Sequence, residues 1–173
     1  HPPVIFLTFA SEVAGGYLPH LAEEARHLRA PLRPAEDAGW VEVVVRQSVT
    51  LADILNVFQD SRYHGRIALF HFGGHADIEI LLLQDAAGNP TSIAASGFAA
   101  FLAEQPGLQV VFLNACSTQP QVSDLLAAGV QAVAATWIDI PDESAAIFAE
   151  RFYIGLGNGI GLAAAFRSAE AVV

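Results

Sequence analysis

Short, continuous runs of apolar residues recur along the chain, and between them apolar residues return at helical spacing. Five of these runs are rich in β-branched and aromatic residues and are bounded by turn residues, which is typical of buried strands. The predicted strands span residues 4–10, 40–46, 67–72, 109–113 and 132–137. A further run over residues 78–84 precedes a Gly-Asn-Pro turn, and it predicts one half of a small hairpin that projects from the main sheet.

The segments between the strands predict helices. Residues 18–32 carry apolar side chains at helical spacing, and the prolines at positions 31 and 34 are expected to close this helix. Thr50 is predicted to cap the next helix, with Asp53 at the capping-box position. Further helices are predicted over residues 98–104, 122–128, 141–156 and 162–171. The glycines at positions 155, 157, 159 and 161 are expected to form the loop before the last helix.

Alternation of apolar strands with helices predicts an α/β fold with a mainly parallel sheet that is covered on both faces. The strand over residues 40–46 is the most polar of the five, so we expect it near an edge of the sheet. A chain of 173 residues without internal repeats or low-complexity tracts suits one domain over residues 1–173.

Composition limits the partners of the protein. The chain carries 18 acidic residues and eight arginines without any lysine, for a net charge of −10, which disfavours nucleic acid as a partner. Such a balance suits a basic peptide or partner, although acidic surfaces also serve solubility alone. Charged residues make up only 15% of the chain, and this low fraction predicts that a flanking domain or subunit covers part of the surface.

The single cysteine cannot form an internal disulfide, so a reducing, cytoplasmic setting is expected. The apolar runs are much shorter than a membrane span, and no membrane partner is expected. The chain begins with His1-Pro2-Pro3 and not with methionine, so we expect it to be excised from a longer, multidomain protein.

Polar side chains cluster where the predicted strands end. Because the carboxyl ends of parallel strands lie at one edge of a sheet, where ligands bind, these side chains are expected to lie close together. The residues at these strand ends are Ser11 and Glu12; Gly73, Gly74, His75 and Asp77; Asn114, Cys116, Ser117 and Thr118; and Asp139 and Asp142. We expect the strands that precede His75 and Cys116 to be neighbours.

A cysteine and a histidine at one sheet edge could act on a carbonyl group. A thiol has a pKa near 8.5, and a neighbouring imidazole can take its proton and produce a nucleophilic thiolate. The backbone N–H groups of Cys116 and Ala76 are candidate donors to the oxyanion. Both residues also have ordinary structural interpretations, since a lone cysteine packs well in a core and a histidine after two glycines suits a turn. The spacing by itself leaves both interpretations open.

Four segments in order resemble the CHAT family, bacterial relatives of the caspases and separases. Residues 70–76 resemble the strand that ends in Gly-His-Gly in that family, and residues 111–118 resemble its Leu-x-Ala-Cys-x-Thr motif. Residues 129–136 and 142–153 resemble the two segments that follow it. The resemblance covers most of the chain from residue 67 onward and, more loosely, the part before it.

The resemblance implies a caspase-like, three-layer αβα fold with His75 as general base and Cys116 as nucleophile. It implies cleavage of peptide or protein substrates, within a larger regulated signalling or defence protein, and it implies no cofactor. In separase-like relatives an acidic residue after the fifth strand selects a basic residue before the cut, and Asp142 is the best match here, followed by Asp139. Asp142 could also simply stabilise the start of a helix.

The chain departs from the family pattern at two points. Ala76 replaces the glycine after the histidine, and the last strand of the family is absent, so the chain is either shortened or built differently. His71 is a rival base, but its position in phase with Ile67 and Leu69 predicts a packed core histidine.

Two other classes of function, a binding module and a cofactor domain, compete with the peptidase. The low charge and Ala76 favour a binding or signalling module that keeps the fold without turnover, whereas the intact Cys116 and His75 favour the enzyme. A flavodoxin-like cofactor domain is less consistent with the sequence, because nothing after the first strand resembles a phosphate loop and glycines 155–161 lack the dinucleotide spacing. Scattered histidines and one cysteine predict no metal site.

Overall fold

A computed structural model describes residues 1–10, 20–74, 76, 79–114, 119–135 and 142–172 of the chain. The strands are β1 (Val4–Phe9), β2 (Glu42–Gln47), β3 (Ile67–Gly73), β4 (Ile80–Gln84), β5 (Pro90–Ala94), β6 (Val110–Asn114) and β7 (Ala132–Ala135). The α-helices are α1 (His20–Arg29), α2 (Arg33–Asp37), α3 (Leu51–Gln59), α4 (Ala95–Ala103), α5 (Gln119–Ala127), α6 (Asp142–Gly157) and α7 (Leu162–Glu170). A short 3-10 helix, Ala30–Leu32, joins α1 to α2.

Among the described residues, five strands form a parallel sheet in the order β2-β1-β3-β6-β7. The prediction of a mainly parallel sheet is confirmed, and β2 lies at an edge as its polar residues predicted. The chain adds β2 on one side of β1 and then crosses to the other side to form β3. A reversal of this kind leaves a crevice at the carboxyl ends of the two strands that flank it, here β1 and β3.

Both faces of the sheet are covered, which explains why its strands are continuously apolar. Along β1, Val4 and Phe6 face the core beneath α3, α4 and α5, whereas Ile5 and Leu7 face the core beneath α1, α6 and α7. Each fully buried side chain of this size stabilises the fold by about 1.5–3 kcal/mol. The expected three-layer αβα architecture is therefore confirmed.

The predicted capping box begins α3. The Asp53 N–H donates to Thr50 Oγ1 over 3.0 Å, and the Thr50 N–H donates to Asp53 Oδ2 over 2.9 Å. Two N–H groups at the start of the helix thereby gain acceptors.

The predicted hairpin is also present, because β4 and β5 pair antiparallel as a separate two-stranded sheet. It is attached to the main sheet through Val49, which donates to the Phe9 carbonyl over 3.2 Å and accepts from the Gln84 N–H over 3.3 Å. Leu81 and Leu83 of β4 pack into the core on the α3 side. The hairpin is thus fixed beside the carboxyl end of β1.

Two predictions about helix ends were wrong in part. The first helix, α1, ends at Arg29, before Pro31 as predicted, but helical structure then resumes. Pro31 and Pro34 each lie in the first turn of a new short helix, where a missing N–H costs no hydrogen bond. Gly155 and Gly157 lie inside α6 and not in a loop. A Cβ at Gly155 would lie 2.8 Å from the Ala165 Cβ, and one at Gly157 would overlap the Pro31 carbonyl. These glycines allow α6 to pack closely against its neighbours.

The longest described helix, α6, has 16 residues. In the part of the chain that the structure describes, none of the helices combines the length and the apolar character needed to cross a membrane. Between residues 142 and 172 the chain forms α6, α7 and turns, so no strand follows β7 within that range.

Candidate functional site

The strands that precede His75 and Cys116 are neighbours, as the sequence predicted. β3 and β6 pair in parallel from Leu69 with Val110 to Gly73 with Asn114. His75 follows Gly73 by two residues, and Cys116 follows Asn114 by two residues. His75 and Cys116 themselves lie outside the described residues.

The exit of β3 is held on both sides. The Gly73 carbonyl accepts from the Ala10 N–H over 2.8 Å, and the Gly74 N–H donates to the Asn114 carbonyl over 3.2 Å. A Cβ at Gly73 would lie 2.9 Å from Cδ1 of Phe9, and one at Gly74 would lie 2.8 Å from the Ala10 Cβ. Neither glycine has a positive φ. Close approach to the end of β1 and the residue after it, and not an unusual backbone conformation, is therefore the reason for glycine at both positions.

Ala76 connects the chain after β3 to the hairpin. It forms an isolated antiparallel bridge with Leu81, is half-buried and packs against the core on the α3 side. The same end of the hairpin is held by the Ala95 N–H, which donates to the Glu79 carbonyl over 2.8 Å. The use of the Ala76 N–H as an oxyanion donor stays a prediction.

The rival base His71 is a core residue, as its phase in the strand predicted. Its side chain is fully buried, Phe112 stacks on the imidazole with 4.8 Å between ring centroids, and Nδ1 lies 3.0 Å from the Tyr153 hydroxyl oxygen. Burial lowers the pKa of His71 to about 3, so the ring is neutral at physiological pH. A sealed imidazole cannot reach a substrate, and the neutral ring serves packing.

A contact between Glu24 and Asn114 was missed by the sequence analysis. Asn114 Nδ2 donates to Glu24 Oε1 over 2.6 Å, at the carboxyl end of β6. The Glu24 side chain is only 11% exposed, although it carries a charge. A signal was present in the sequence, because Glu24 lies four residues before the buried Leu28 and so falls beside the apolar stripe of α1.

The two candidate specificity residues are located only in part. Asp142 is the first residue of α6, which agrees with the predicted helix start, while the structure does not describe its side chain. Asp139 lies outside the described residues. Within the described ranges, no group of three or more His, Cys, Asp or Glu side chains is arranged to hold a metal ion.

Comparison with known proteins agrees with this architecture. Residues 8–173 match the family model of the CHAT domain. Among curated proteins, none matches the chain. The matched range includes every strand of the sheet apart from the first residues of β1. The chain therefore belongs to the CHAT domain family, a caspase-like family related to the cysteine peptidases.

Proposed function

We propose that this chain is a cysteine endopeptidase domain in which Cys116 is the nucleophile and His75 is the general base. The pairing of Gly73 with Asn114 carries the proposal, because each residue stands two positions before one member of the dyad. Two residues of chain span about 7 Å at most. Both functional groups thus start from neighbouring points of the sheet edge where α/β proteins bind ligands.

The chemistry follows from these two groups. The His75 imidazole accepts the proton of the Cys116 thiol, and the thiolate attacks the carbonyl carbon of the scissile peptide bond. The negative charge that develops on the carbonyl oxygen is stabilised by the backbone N–H groups of Ala76 and Cys116. The imidazolium then protonates the leaving amine, and a water molecule that His75 deprotonates releases the acyl group from sulfur.

Substrate choice is proposed to depend on an acidic side chain near the start of α6. Asp142 is the first candidate, and Asp139 is the second. A carboxylate that is shielded from water pairs strongly with an arginine or lysine side chain. Cleavage after a basic residue would also agree with the net charge of −10, which attracts basic peptides.

The setting of the domain is part of the same proposal. A single cysteine that must stay reduced to react suits the cytoplasm. Partners are then a peptide or protein substrate and the flanking domains of a longer bacterial signalling or defence protein. No nucleic acid or membrane partner is proposed.

A second candidate function is a binding or signalling module without turnover. The observation that favours it is Ala76, which stands in the place of a family glycine and is engaged in a bridge with Leu81. If that bridge occupies the Ala76 N–H, the oxyanion keeps only the Cys116 N–H, and loss of one donor costs about 100-fold or more in turnover.

Alkylation of Cys116 by iodoacetamide tests the dyad, because the chain has one cysteine. Near neutral pH we expect rapid reaction in the wild type and a rate at least about tenfold lower in His75→Ala, since the imidazole increases the thiolate fraction. His64→Ala, which removes an exposed histidine, is the matched control. Equal rates in the wild type and His75→Ala would remove the dyad. Rapid alkylation without cleavage of any peptide in a library would favour the binding module.

A further inference from the structure

Asn114 joins the carboxyl ends of β3 and β6 to α1. Its side chain donates from Nδ2 to Glu24 Oε1 over 2.6 Å, and its carbonyl oxygen accepts from the Gly74 N–H over 3.2 Å. Gly74 is directly followed by His75, and Asn114 lies two residues before Cys116. A single residue therefore holds the chain just before both members of the proposed dyad.

The Glu24 carboxylate lies close to the buried pair of His71 and Tyr153. The oxygen that accepts from Asn114 also lies 3.9 Å from Nε2 of His71, whose side chain is fully buried. That distance is too long for a hydrogen bond. Within the described part of the chain, Nε2 has no hydrogen-bond partner. The other ring nitrogen contacts the Tyr153 hydroxyl over 3.0 Å.

Protonation states follow from burial and charge. Burial raises the pKa of Tyr153 well above its usual value, and the Glu24 charge raises it further, so the hydroxyl keeps its proton. The neutral His71 ring carries one N–H. A hydrogen on Nε2 faces the Glu24 carboxylate favourably, whereas a lone pair there would face a negative charge. The favoured tautomer therefore has the Tyr153 hydroxyl donating to Nδ1 and the hydrogen of His71 on Nε2, on the side of the carboxylate.

From these contacts we infer that Glu24 is a positioning residue that acts through Asn114 on the segment that carries Cys116. The inference rests on the proposed function. A hydrogen bond from an amide to a carboxylate is roughly twice as strong as a neutral one. It fixes where the chain leaves β6, and a displacement of about 1 Å at a reacting group can cost about 100-fold in rate.

Alkylation of Cys116 in the full chain measures this role. Asn114→Ala removes the donor, and Glu24→Ala removes the acceptor while Asn114 stays intact. We expect each to slow alkylation by about fivefold or more. Asn56→Ala, at an exposed position on α3, is the matched control.

An exchange of donor and acceptor separates positioning from a general structural role. Asn114→Asp places two carboxylates against each other, so its rate relative to the wild type is expected to recover as falling pH protonates one of them. The double variant Glu24→Gln with Asn114→Asp restores one amide-to-carboxylate bond. We expect its alkylation rate to return to within about threefold of the wild type.

Amide hydrogen exchange at Gly74 is a readout that does not depend on the dyad. We expect about tenfold faster exchange in Asn114→Ala and wild-type exchange in the double variant. Suppose that His75→Ala is alkylated slowly, as the proposed function requires. The inference is then overturned if Asn114→Ala shows wild-type exchange at Gly74 and wild-type alkylation of Cys116. It is also overturned if the double variant is as impaired as Asn114→Ala. If His75→Ala instead is alkylated as fast as the wild type, the proposed function fails. Exchange at Gly74 then decides whether the contact between Glu24 and Asn114 holds the end of β3.

Discussion

The Nδ1 atom of His71 lies 3.0 Å from the hydroxyl oxygen of Tyr153, and both side chains are fully buried. The contact joins β3, at the centre of the sheet, to α6. Burial lowers the pKa of His71 to about 3 and raises that of Tyr153, so both groups are neutral near pH 7. The pair is compatible with the core only while it stays uncharged.

We therefore expect the free energy of unfolding to fall as the pH decreases from 6.5 toward 3. The unfolded state binds a proton on His71 near its ordinary pKa of 6.5, whereas the folded state does not until about pH 3. Since the unfolded state binds more protons between these values, stability rises with pH there. The loss from this residue is at most about 1.4 kcal/mol per pH unit, measured by urea denaturation across the window.

A pair of variants assigns that acid sensitivity to His71. His71→Phe is expected to reduce the slope of stability against pH, because it removes the buried titrating group. His64→Ala removes an exposed histidine and is expected to keep the wild-type slope. An unchanged slope in His71→Phe would contradict the assignment.

Tyr153→Phe is expected to lower the free energy of unfolding by about 1–3 kcal/mol, because it leaves buried Nδ1 of His71 without a partner. Chemical denaturation of both proteins measures the difference. Tyr63→Phe is the control, since Tyr63 is only half-buried and its ring contacts the Arg62 guanidinium. We expect that substitution to change stability by less than about 0.5 kcal/mol. Equal losses in the two variants would show that the buried contact is not special.

Gly73→Ala and Gly74→Ala are each expected to lower stability by about 1–3 kcal/mol, because the new Cβ would lie 2.9 Å from Phe9 and 2.8 Å from Ala10, respectively. The displaced chain should also slow alkylation of Cys116. Thermal unfolding and iodoacetamide kinetics measure the two effects.

Gly97→Ala is the matched control for these glycine substitutions. Gly97 lies in α4, and a Cβ there would have no atom within 4 Å apart from its chain neighbours and the backbone of its own helix. Alanine in a helix is favoured over glycine by about 0.5–1 kcal/mol, so this variant is expected to gain stability. A loss at Gly97 equal to that at Gly73 would refute the steric explanation.

Asp142→Ala is expected to reduce cleavage after arginine or lysine about tenfold or more, because it removes the proposed partner of the basic side chain. A peptide library that varies the residue before the scissile bond measures the preference in both proteins. Asp139→Ala, tested in parallel, identifies which acid is responsible. A wild-type preference for an acidic or apolar residue at that position would reject both assignments.

The sequence predicted most secondary structure because periodicity and capping are local properties. The strand runs, the capping box at Thr50 and the hairpin after residue 78 were all recovered. The errors at Pro31 and Gly157 concern two segments that pack against each other. A Cβ at Gly157 would overlap the Pro31 carbonyl, and only tertiary contact reveals that close approach.

The candidate site, too, could be predicted from the sequence only in part. Apolar runs followed by Gly73-Gly74 and by Asn114 marked both strand ends, and parallel topology implied that they meet. The contact between Asn114 and Glu24 joins residues 90 positions apart, and that between His71 and Tyr153 joins residues 82 positions apart. Side-chain pairs at such separations have no local pattern.

The amino-acid sequence by itself determined the order of the strands and helices and identified the family. Both follow from hydrophobic spacing and short motifs, which are local properties of the sequence. Tertiary structure alone decided that His71 contacts the Tyr153 hydroxyl and that Asn114 is held by α1. The physical reason is that burial and hydrogen-bond distance arise only when distant segments pack together, and those two quantities set the charge state and position of each side chain.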